Sequence, residues 1–429
     1  MEQKYYPLLD EKIFCQTLPN GLTVIVVPRP GFTKKLAYLV TDFGSIHTQF
    51  SLNGESYTAA DGVAHYLEHK LFDMPGGRDI TAEFAALGAV PNAFTSYDLT
   101  AYYFSCTEHF AQCLELLTEF VMTPYFTEET VQKEQGIIGQ EIDMNIDNPD
   151  TRVFEQLAQL MYQDHQVRQP ILGTRETIAQ ITPDMLRRCH DAFYCPGNML
   201  LCVVGDVDPQ VVTDIAARIP AGNAPAEAIR AWPEDMTVPQ HLAECAMEVS
   251  MPTFQLGFKC EPMDRGEEAI RQEFIGDLAA EALFGESSEL YMRLYEDGLI
   301  DSSFGGGFET IEGMAMLSAS GDSEDPQAVM DAIIAQAAKL AETGIPQEAF
   351  LRMKRSAMGR RIRGLDSFDA TCFRVCAYHF SGFEYFRFPE LYRQVEVSDI
   401  LQFIQRVVTY DRAGLSVVYP LEQEESNYV

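Results

Sequence analysis

TAADGVAHYLEHKLFD, residues 58–73, carries the most informative pattern in the sequence, with His65, Glu68 and His69 in one short apolar segment. The segment is expected to form a helix with Asp61 as its N-cap. Positions i and i+4 lie on one face of a helix, so the two imidazoles can hold a single metal ion. Glu68 lies on nearly the same face, where it can reach a water on that ion without being a ligand. The segment therefore predicts a metal site with a neighbouring acid.

Zinc suits this predicted site, because a catalytic zinc ion combines three protein ligands with one open position for water. The order HxxEH is the inverse of the HExxH motif of zinc proteases. A third ligand is available on the helix expected after Thr127, which carries Glu134 and Glu141. Their separation is almost two full turns, so both point to one side. One of them can ligate zinc, and the other can hold a ligand or a water in place.

Each part of this pattern also has a plainer interpretation. Two histidines on a helix are usually surface or core residues, and two glutamates at this spacing usually form an ordinary acidic helix face. The combination of both, in this order along the chain, favours the metal site over these interpretations.

The composition narrows the possible partners of the chain. Its 429 residues include 31 basic and 64 acidic side chains, which gives a net charge of −33. Such a chain is poorly suited to nucleic acid or to anionic membranes, where binding needs positive groups. No apolar run is long enough to span a bilayer, and the first residues, MEQKYYPLLDEK, lack the apolar core of a signal peptide. The ten cysteines form no CxxC pair and are expected to be reduced core residues. We therefore expect a cytoplasmic protein.

The two halves of the chain show the same order of predicted elements. Residues 1–220 begin with a hairpin around the Pro-Asn-Gly turn at 19–21 and end with an apolar strand at 199–207 and a short helix. Residues 221–241 are rich in Pro and Ala and lack a clear period, as expected of a linker. Residues 242–429 repeat the order of strands and helices, which indicates a duplicated α+β domain without the metal motif.

Three segments, GVAHYLEHKLF, PNAFTS and KEQGIIGQEI, together resemble the insulinase/pitrilysin family of inverzincin metallopeptidases, and the resemblance covers the whole chain. It implies two similar α+β domains, each an antiparallel-rich sheet packed by helices, as in LuxS and the mitochondrial processing peptidase. It further implies that His65 and His69 are the histidine ligands and that Glu68 is the general base. Glu141 matches the glutamate ligand of one zinc ion per chain, and Glu134 matches the supporting acid.

The resemblance also implies how a substrate binds and how chains pair. Asn92, Ala93 and Phe94 match an edge strand that pairs with an extended peptide, so flexible peptides are the implied substrates. Family members of this length typically pair two chains around one chamber. The sequence around the site is most similar to a bacterial subgroup of paired peptidase-like proteins, whose naming links it to aminopentanol modification of elongation factor P. No residue of this chain argues for that link.

One part of the family pattern is missing. The family places an Arg and a Tyr, seven residues apart, in its second domain, where they stabilise the oxyanion of the substrate. Aligned on Gly298, this chain has Leu294 and Asp301 at those positions, and Arg293, one position away, is followed by Ile300. We therefore expect a zinc-bearing subunit of a heterodimer, whose companion chain supplies the Arg-Tyr pair; a homodimer is the less favoured arrangement.

Two other functions fit parts of the pattern. A non-catalytic assembly subunit of the same fold agrees with the missing pair, but it does not explain an intact HxxEH motif. A ribosylhomocysteine lyase also carries HxxEH, but that chain is much shorter and is not duplicated. A zinc metalloendopeptidase remains the predicted function.

Overall fold

The computed structural model describes residues 1–230, 232–263 and 265–421. The strands of this part of the chain are β1 Glu2–Tyr6, β2 Glu11–Thr17, β3 Thr23–Pro28, β4 Lys35–Thr41, β5 Gln49–Leu52, β6 Glu55–Thr58, β7 Val90–Thr95, β8 Thr100–Cys106, β9 Met199–Gly205, β10 Glu227–Ala228, β11 Leu242–Met247, β12 Thr253–Cys260, β13 Gly305–Ile311, β14 Met314–Asp322 and β15 Ala413–Pro420. The α-helices are α1 Val63–Lys70, α2 Ile80–Ala86, α3 Phe110–Val121, α4 Glu128–Ile146, α5 Pro149–Met161, α6 Arg175–Ile178, α7 Pro183–Phe193, α8 Pro209–Ala216, α9 Glu267–Phe284, α10 Glu289–Glu296, α11 Pro326–Thr343, α12 Gln347–Gly364, α13 Phe368–Phe380, α14 Phe388–Gln394 and α15 Val397–Val407.

The chain packs as two compact units that do not follow the sequence halves strictly. The first unit consists of Met1–Ile142, Pro170–Arg230 and Arg360–Pro389. The second unit consists of Asp143–Gln169, Ala231–Gly359 and Glu390–Val429. The change of unit after Arg230 falls inside the predicted linker, residues 221–241, which also contains β10. The prediction of contiguous domains at 1–220 and 242–429 did not include the exchange of 143–169 and 360–389 between the units.

Each unit contains one large sheet, and the two sheets share a topology. The strand order of the first sheet is β1-β2-β3-β9-β4-β8-β7, and that of the second is β11-β15-β12-β14-β13. In the first sheet β3 runs parallel to β9, and in the second β11 runs parallel to β15, while the neighbouring pairs are antiparallel. The five neighbouring strands β3-β9-β4-β8-β7 of the first sheet therefore correspond, in this order, to the five strands of the second sheet. The predicted α+β fold with two similar domains is confirmed.

The predicted hairpin near the N-terminus is present between β2 and β3. Gly21 has a φ of 98°, a conformation that glycine adopts without steric cost. The side-chain amide of Asn20 donates hydrogen bonds to the carbonyl oxygens of Ala216 and Ile219, and its oxygen accepts one from the N–H of Leu22. The turn is thus fixed by contacts within the first unit as well as by its own conformation.

Helices from the exchanged segments complete both sheets. In the first unit α13 packs on β4 and β9, where the thiol of Cys372 meets the carbonyl oxygen of Cys202. In the second unit α5 packs on β11, β12 and β15. The ten cysteines are all free thiols, and eight of them are buried, as expected for core residues. The exchange therefore gives each sheet a covering helix from the other half of the sequence.

A buried ion pair holds the start of the second half onto the second sheet. The Nζ of Lys259 lies 2.7 Å from Oε2 of Glu234, and the two side chains are only 1% and 2% exposed. Glu234 also accepts backbone hydrogen bonds from Gln163, Asp164 and His165. A carboxylate with this many donors can remain ionised away from water, so the pair is fully satisfied.

Replacing Glu234 by glutamine is expected to lower the free energy of unfolding by about 3–5 kcal/mol, because Lys259 is left buried without a counter-charge. Chemical denaturation measured at neutral pH tests this expectation. Asp235→Asn, at the exposed neighbouring position, is the matched control and should change stability far less. A loss for Glu234→Gln that is no larger than the loss for the control would contradict the importance of the pair.

Candidate metal centre

The helix that carries the HxxEH motif begins at Gly62, and the prediction of Asp61 as its N-cap is wrong. Gly62 is the N-cap, with a φ of 89° and no side-chain cap. A Cβ at this position would lie 2.4 Å from the carbonyl oxygen of Leu172, so the close backbone approach requires glycine. The helix spans Val63–Lys70, shorter than the predicted segment at both ends.

Helix α1 is held against α4, which supplies the two glutamates. Tyr66 is fully buried, and its hydroxyl donates a hydrogen bond to the carbonyl oxygen of Val131 in α4. Helix α4 begins after Thr127, as predicted, and the Thr127 hydroxyl accepts from the N–H of Thr130. The facing sides of the two helices bring the motif and the glutamates together.

Three side chains converge on one point between these helices. Nε2 of His65 lies 3.6 Å from Oε1 of Glu141, and Nε2 of His69 lies 3.6 Å from Oε2 of the same carboxylate. His65, His69 and Glu141 each offer one possible ligand atom, and these three atoms lie within 4.8 Å of one another. The His65 imidazole lowers the pKa of the Glu141 carboxyl, so the carboxylate form is favoured. Among the described residues, this is the group of His, Cys, Asp and Glu side chains close enough to hold a metal ion.

The separations fit a zinc ion better than they fit direct hydrogen bonds. A distance of 3.6 Å exceeds the usual N–H···O range of about 2.7–3.2 Å. A tetrahedral zinc with bonds near 2.05 Å separates its ligand atoms by about 3.3 Å, which is close to the spacing found here. Two neutral imidazoles and one carboxylate are also a donor set that catalytic zinc uses, with one position left for water. The residues present therefore fit zinc.

Glu134 lies behind His69 instead of joining the three converging side chains. Its Oε1 is 3.0 Å from Nδ1 of His69, on the far side of the ring from Glu141. Its Oε2 is 3.9 Å from the Nζ of Lys70. Burial disfavours the charged form of Glu134, but the hydrogen bond with His69 and the nearby lysines outweigh burial and lower the pKa of its carboxyl. The helical spacing left the choice between the two glutamates open, and the family resemblance implied Glu141 as the ligand. In the structure Glu141 faces both imidazoles, and Glu134 contacts one of them.

Glu68 is buried beside the imidazoles and is oriented by a threonine. The hydroxyl of Thr95 donates a hydrogen bond of 2.6 Å to Oε2 of Glu68. Burial raises the pKa of the Glu68 carboxyl, while the Thr95 hydrogen bond and the two imidazoles oppose the shift. A carboxyl whose pKa is raised toward neutral pH is a better proton acceptor and donor than an exposed one. If a metal ion held by His65, His69 and Glu141 carried a water, Glu68 would be placed to exchange a proton with it.

The predicted substrate-binding residues lie on a free sheet edge. Asn92, Ala93 and Phe94 belong to β7, which ends the first sheet and pairs only with β8 among the described strands. Helix α1 packs against β7, and Thr95 at its end contacts Glu68. Side chains alternate along a strand, so Ala93 shares the face of Thr95 while Phe94 points to the opposite face. Phe94 packs there near the ring of Phe373.

Sequence reasoning missed Thr95 and Lys70. Thr95 lies within the quoted segment PNAFTS, but strand alternation alone does not show which face of the strand meets the motif helix. Lys70 follows His69 directly, and its complete burial gave no signal in the sequence, because a lysine at a helix end is normally exposed.

The sequence matches two models of one peptidase family. Residues 51–175 match the model described as "Insulinase (Peptidase family M16)", and residues 180–357 match the model described as "Peptidase M16 inactive domain". The chain is also 36% identical over 422 residues to a protein of Bacillus subtilis (strain 168) described as "Uncharacterized zinc protease YmfH", with 97% of this chain and 98% of that protein covered. The chain belongs to the insulinase family, peptidase family M16.

Solved structures agree with this assignment. A crystal structure of an M16-like peptidase from Alicyclobacillus acidocaldarius superposes with a TM-score of 0.91 at 31% identity, over 96% of this chain and 99% of that one. A protease from Helicobacter pylori superposes with a TM-score of 0.81 over 96% of this chain and 100% of that one, and its 19% identity shows the fold alone. The resemblance to the insulinase/pitrilysin family is confirmed, and the relative from Bacillus subtilis is named as a zinc protease. No helix in the described ranges is long and apolar enough to cross a membrane.

Proposed function

We propose that this chain is a cytoplasmic zinc metalloendopeptidase that cleaves short or unfolded peptides. The observation that carries the proposal is the convergence of His65, His69 and Glu141 on one point, with Glu68 held beside them by Thr95. These three residues would hold one zinc ion, which would supply a polarised water and a Lewis acid for the substrate carbonyl. The link to elongation factor P modification, which the sequence subgroup carries, has no support in these residues.

Glu68 performs the proton transfers in the proposed reaction. The Thr95 hydrogen bond occupies Oε2, which leaves Oε1 to receive a proton from the attacking water. The same carboxyl then passes the proton to the leaving amine, as a general acid. Because Glu68 is buried, water competes poorly for this proton between the two transfers.

The edge of β7 supplies the proposed peptide-binding surface. Its outer N–H and C=O groups pair with no described strand, so an extended peptide can add to the first sheet there. Helix α1 packs against the same strand, which brings an added peptide close to the converging ligands. Only a flexible segment can adopt this extended form, which favours short or unfolded substrates.

Thr95→Val is expected to lower kcat for peptide hydrolysis by about 10–100-fold, because a hydrogen bond to a charged group is worth about 1.5–3 kcal/mol. Zinc affinity should not change, since Thr95 contacts the base and none of the three ligands. Thr95→Ser keeps the hydroxyl and is the matched control. Steady-state kinetics of the three proteins test the role of the hydroxyl, and a valine variant as fast as the serine variant would refute it.

The proposal that a companion chain takes part in catalysis rests on the residues at the aligned Arg and Tyr positions in the second unit. Leu294 and Ile300 are buried in the core, and Asp301 is exposed and bonded to Ser303, so neither aligned position offers the Arg-Tyr pair. Arg293 is exposed on α10. We therefore propose a heterodimer in which a homologous chain contributes the pair that stabilises the oxyanion. A homodimer is the less favoured arrangement.

A non-catalytic assembly subunit is the second candidate function. It is favoured by the missing pair and by the match of residues 180–357 to a model described as an inactive domain. Metal analysis of the purified protein separates the two candidates, because a scaffold has no need to retain zinc. Less than one zinc per ten chains after loading and desalting would favour the scaffold.

Peptide cleavage is the direct test of the proposed function. The zinc-loaded chain is incubated with short unstructured peptides, with and without a homologous chain that carries the Arg-Tyr pair, and products are read by mass spectrometry. Cleavage only in the presence of the second protein supports the heterodimer, and cleavage by this chain alone refutes the need for a companion. Loss of cleavage in Glu68→Gln is required in either case.

A further inference from the structure

Lys70 is a fully buried lysine directly after the second histidine of the motif. Its side chain is 0% exposed, although the residue is the last of α1. Its Nζ pairs with Asp73, donates a hydrogen bond of 3.2 Å to the carbonyl oxygen of Thr130, and lies 3.9 Å from Oε2 of Glu134. A buried ammonium is costly without such partners, so the surrounding acceptors are what keep it there.

Glu134 divides its two oxygens between Lys70 and His69. Oε1 lies 3.0 Å from Nδ1 of His69, and Oε2 faces the ammonium. The Glu134 side chain is only 13% exposed, so few positions are open to its carboxylate. Among the described residues no group bonds Nδ1 of His65. The orientation of the histidine pair therefore depends on Glu134 at His69 more than on any similar contact at His65.

We propose that Lys70 is a positioning residue of the metal centre, which holds the Glu134 carboxylate in the orientation that fixes the His69 imidazole. The positive charge offsets that of the largely buried Glu134 carboxylate, so the carboxylate stays on His69 instead of turning toward water. Groups that orient a metal-bound histidine typically affect metal affinity by about 10–100-fold. Lys70 acts one step further from the ion, through Glu134, so its effect is expected near the lower limit of that range.

A purely structural role for Lys70 makes a different prediction. Lys70 also ties Asp73 to the first turn of α4 through Thr130, and this contact could matter only for folding. In that case the loss of zinc affinity would not depend on Glu134, and Asp73→Asn would be as damaging as a change of Lys70. Asp73 is 43% exposed, so Asp73→Asn removes its charge from the pair without burying a new polar group.

The test is a double-mutant cycle on zinc affinity, measured without substrate by competition with a chelator at fixed pH. Lys70→Met is expected to weaken zinc binding about tenfold, and to have less than a twofold effect when Glu134→Gln is already present. Asp73→Asn should stay within twofold of wild type. Lys259→Met is the matched control, because Lys259 is equally buried and also pairs with a glutamate but touches none of the site residues.

The outcomes separate this inference from the proposed function on which it rests. An unchanged affinity in Lys70→Met, or the same loss with and without Glu134→Gln, would overturn the positioning role while leaving the zinc site intact. A wild-type chain that binds no zinc overturns both. If Lys70→Met does not fold, Lys70→Met with Asp73→Asn carries the same test, because it also removes the exposed carboxylate that Lys70 neutralises. The visible spectrum of the cobalt-substituted protein is a second readout, and it should change in the lysine variant and not in Asp73→Asn.

Discussion

Replacing Glu68 by glutamine is expected to leave zinc bound and to lower kcat for peptide hydrolysis by about 10²–10⁴-fold. Glutamine has the shape of glutamate and can still accept the Thr95 hydrogen bond, but its amide cannot take a proton from water. Glu68 is not among the three residues whose ligand atoms converge, so the ion should stay. Zinc content by atomic emission and kcat on a cleavable peptide are measured on the same preparation.

The control for this variant is Glu129→Gln, which removes a carboxylate from the exposed first turn of α4. It should match wild type in both zinc content and kcat. Retained hydrolysis in Glu68→Gln would mean that another group is the base. Loss of zinc from Glu68→Gln would instead mean that Glu68 holds the ion, directly or through a water.

Removing the proposed third ligand, Glu141, has the next largest expected effect. The quantity that changes is the affinity for zinc. Apparent binding free energies of zinc sites with four ligands are about 10–16 kcal/mol, so one ligand is worth roughly 3–4 kcal/mol. Glu141→Ala is therefore expected to weaken zinc binding by about 10²–10³-fold. Wild type should gain thermal stability when zinc is added, because the ion binds the folded state. Glu141→Ala should gain far less at the same zinc concentration.

Gln140→Ala is the matched control, since it is the exposed neighbour on the same helix. Its zinc affinity and its thermal shift should equal those of wild type. A Glu141→Ala protein that still binds zinc as tightly as this control would show that the two histidines hold the ion with a different third partner. Glu134, bonded to His69, would then be the residue to change next.

The parts of the site that could be predicted from the sequence are those that depend on one helix at a time. His65, Glu68 and His69 share a face of α1 by the helical period alone, and Glu141 and Glu134 share a side of α4 for the same reason. The helical period alone could not predict which of the two glutamates faces the imidazoles. That depends on how α4 lies against α1, which is fixed by buried contacts far apart in the sequence.

Errors and omissions arose where long-range contacts decide local structure. The helix was expected to begin with Asp61, but the carbonyl of Leu172 approaches so closely that only Gly62 fits as the N-cap. Thr95 contacts Glu68, and Lys70 lies near Glu134, and in both cases the partner is many positions away in the sequence. No local propensity signals a hydrogen bond between a strand end and a helix, or a lysine that packs inside.

The order of elements predicted the duplication, because strands and helices follow one another in a similar order in the two halves. The order of elements could not predict that α5 and α13 are exchanged between the units. The sequence of a helix does not indicate which sheet the helix packs on. The pairing of β3 with β9 and of β11 with β15 likewise joins strands that are far apart in the sequence. Such pairings are selected by burial over the whole unit.

The exchange of α5 and α13 has a consequence for how the chain is made. Synthesis proceeds from the N-terminus, so residues 1–230 leave the ribosome well before residues 368–380, which form α13. Until α13 arrives, the apolar face formed by β4 and β9 has no cover, and exposed apolar strands are the surfaces that chaperones bind. A chain that ended before α13 would therefore leave the β4 and β9 face of the first sheet exposed.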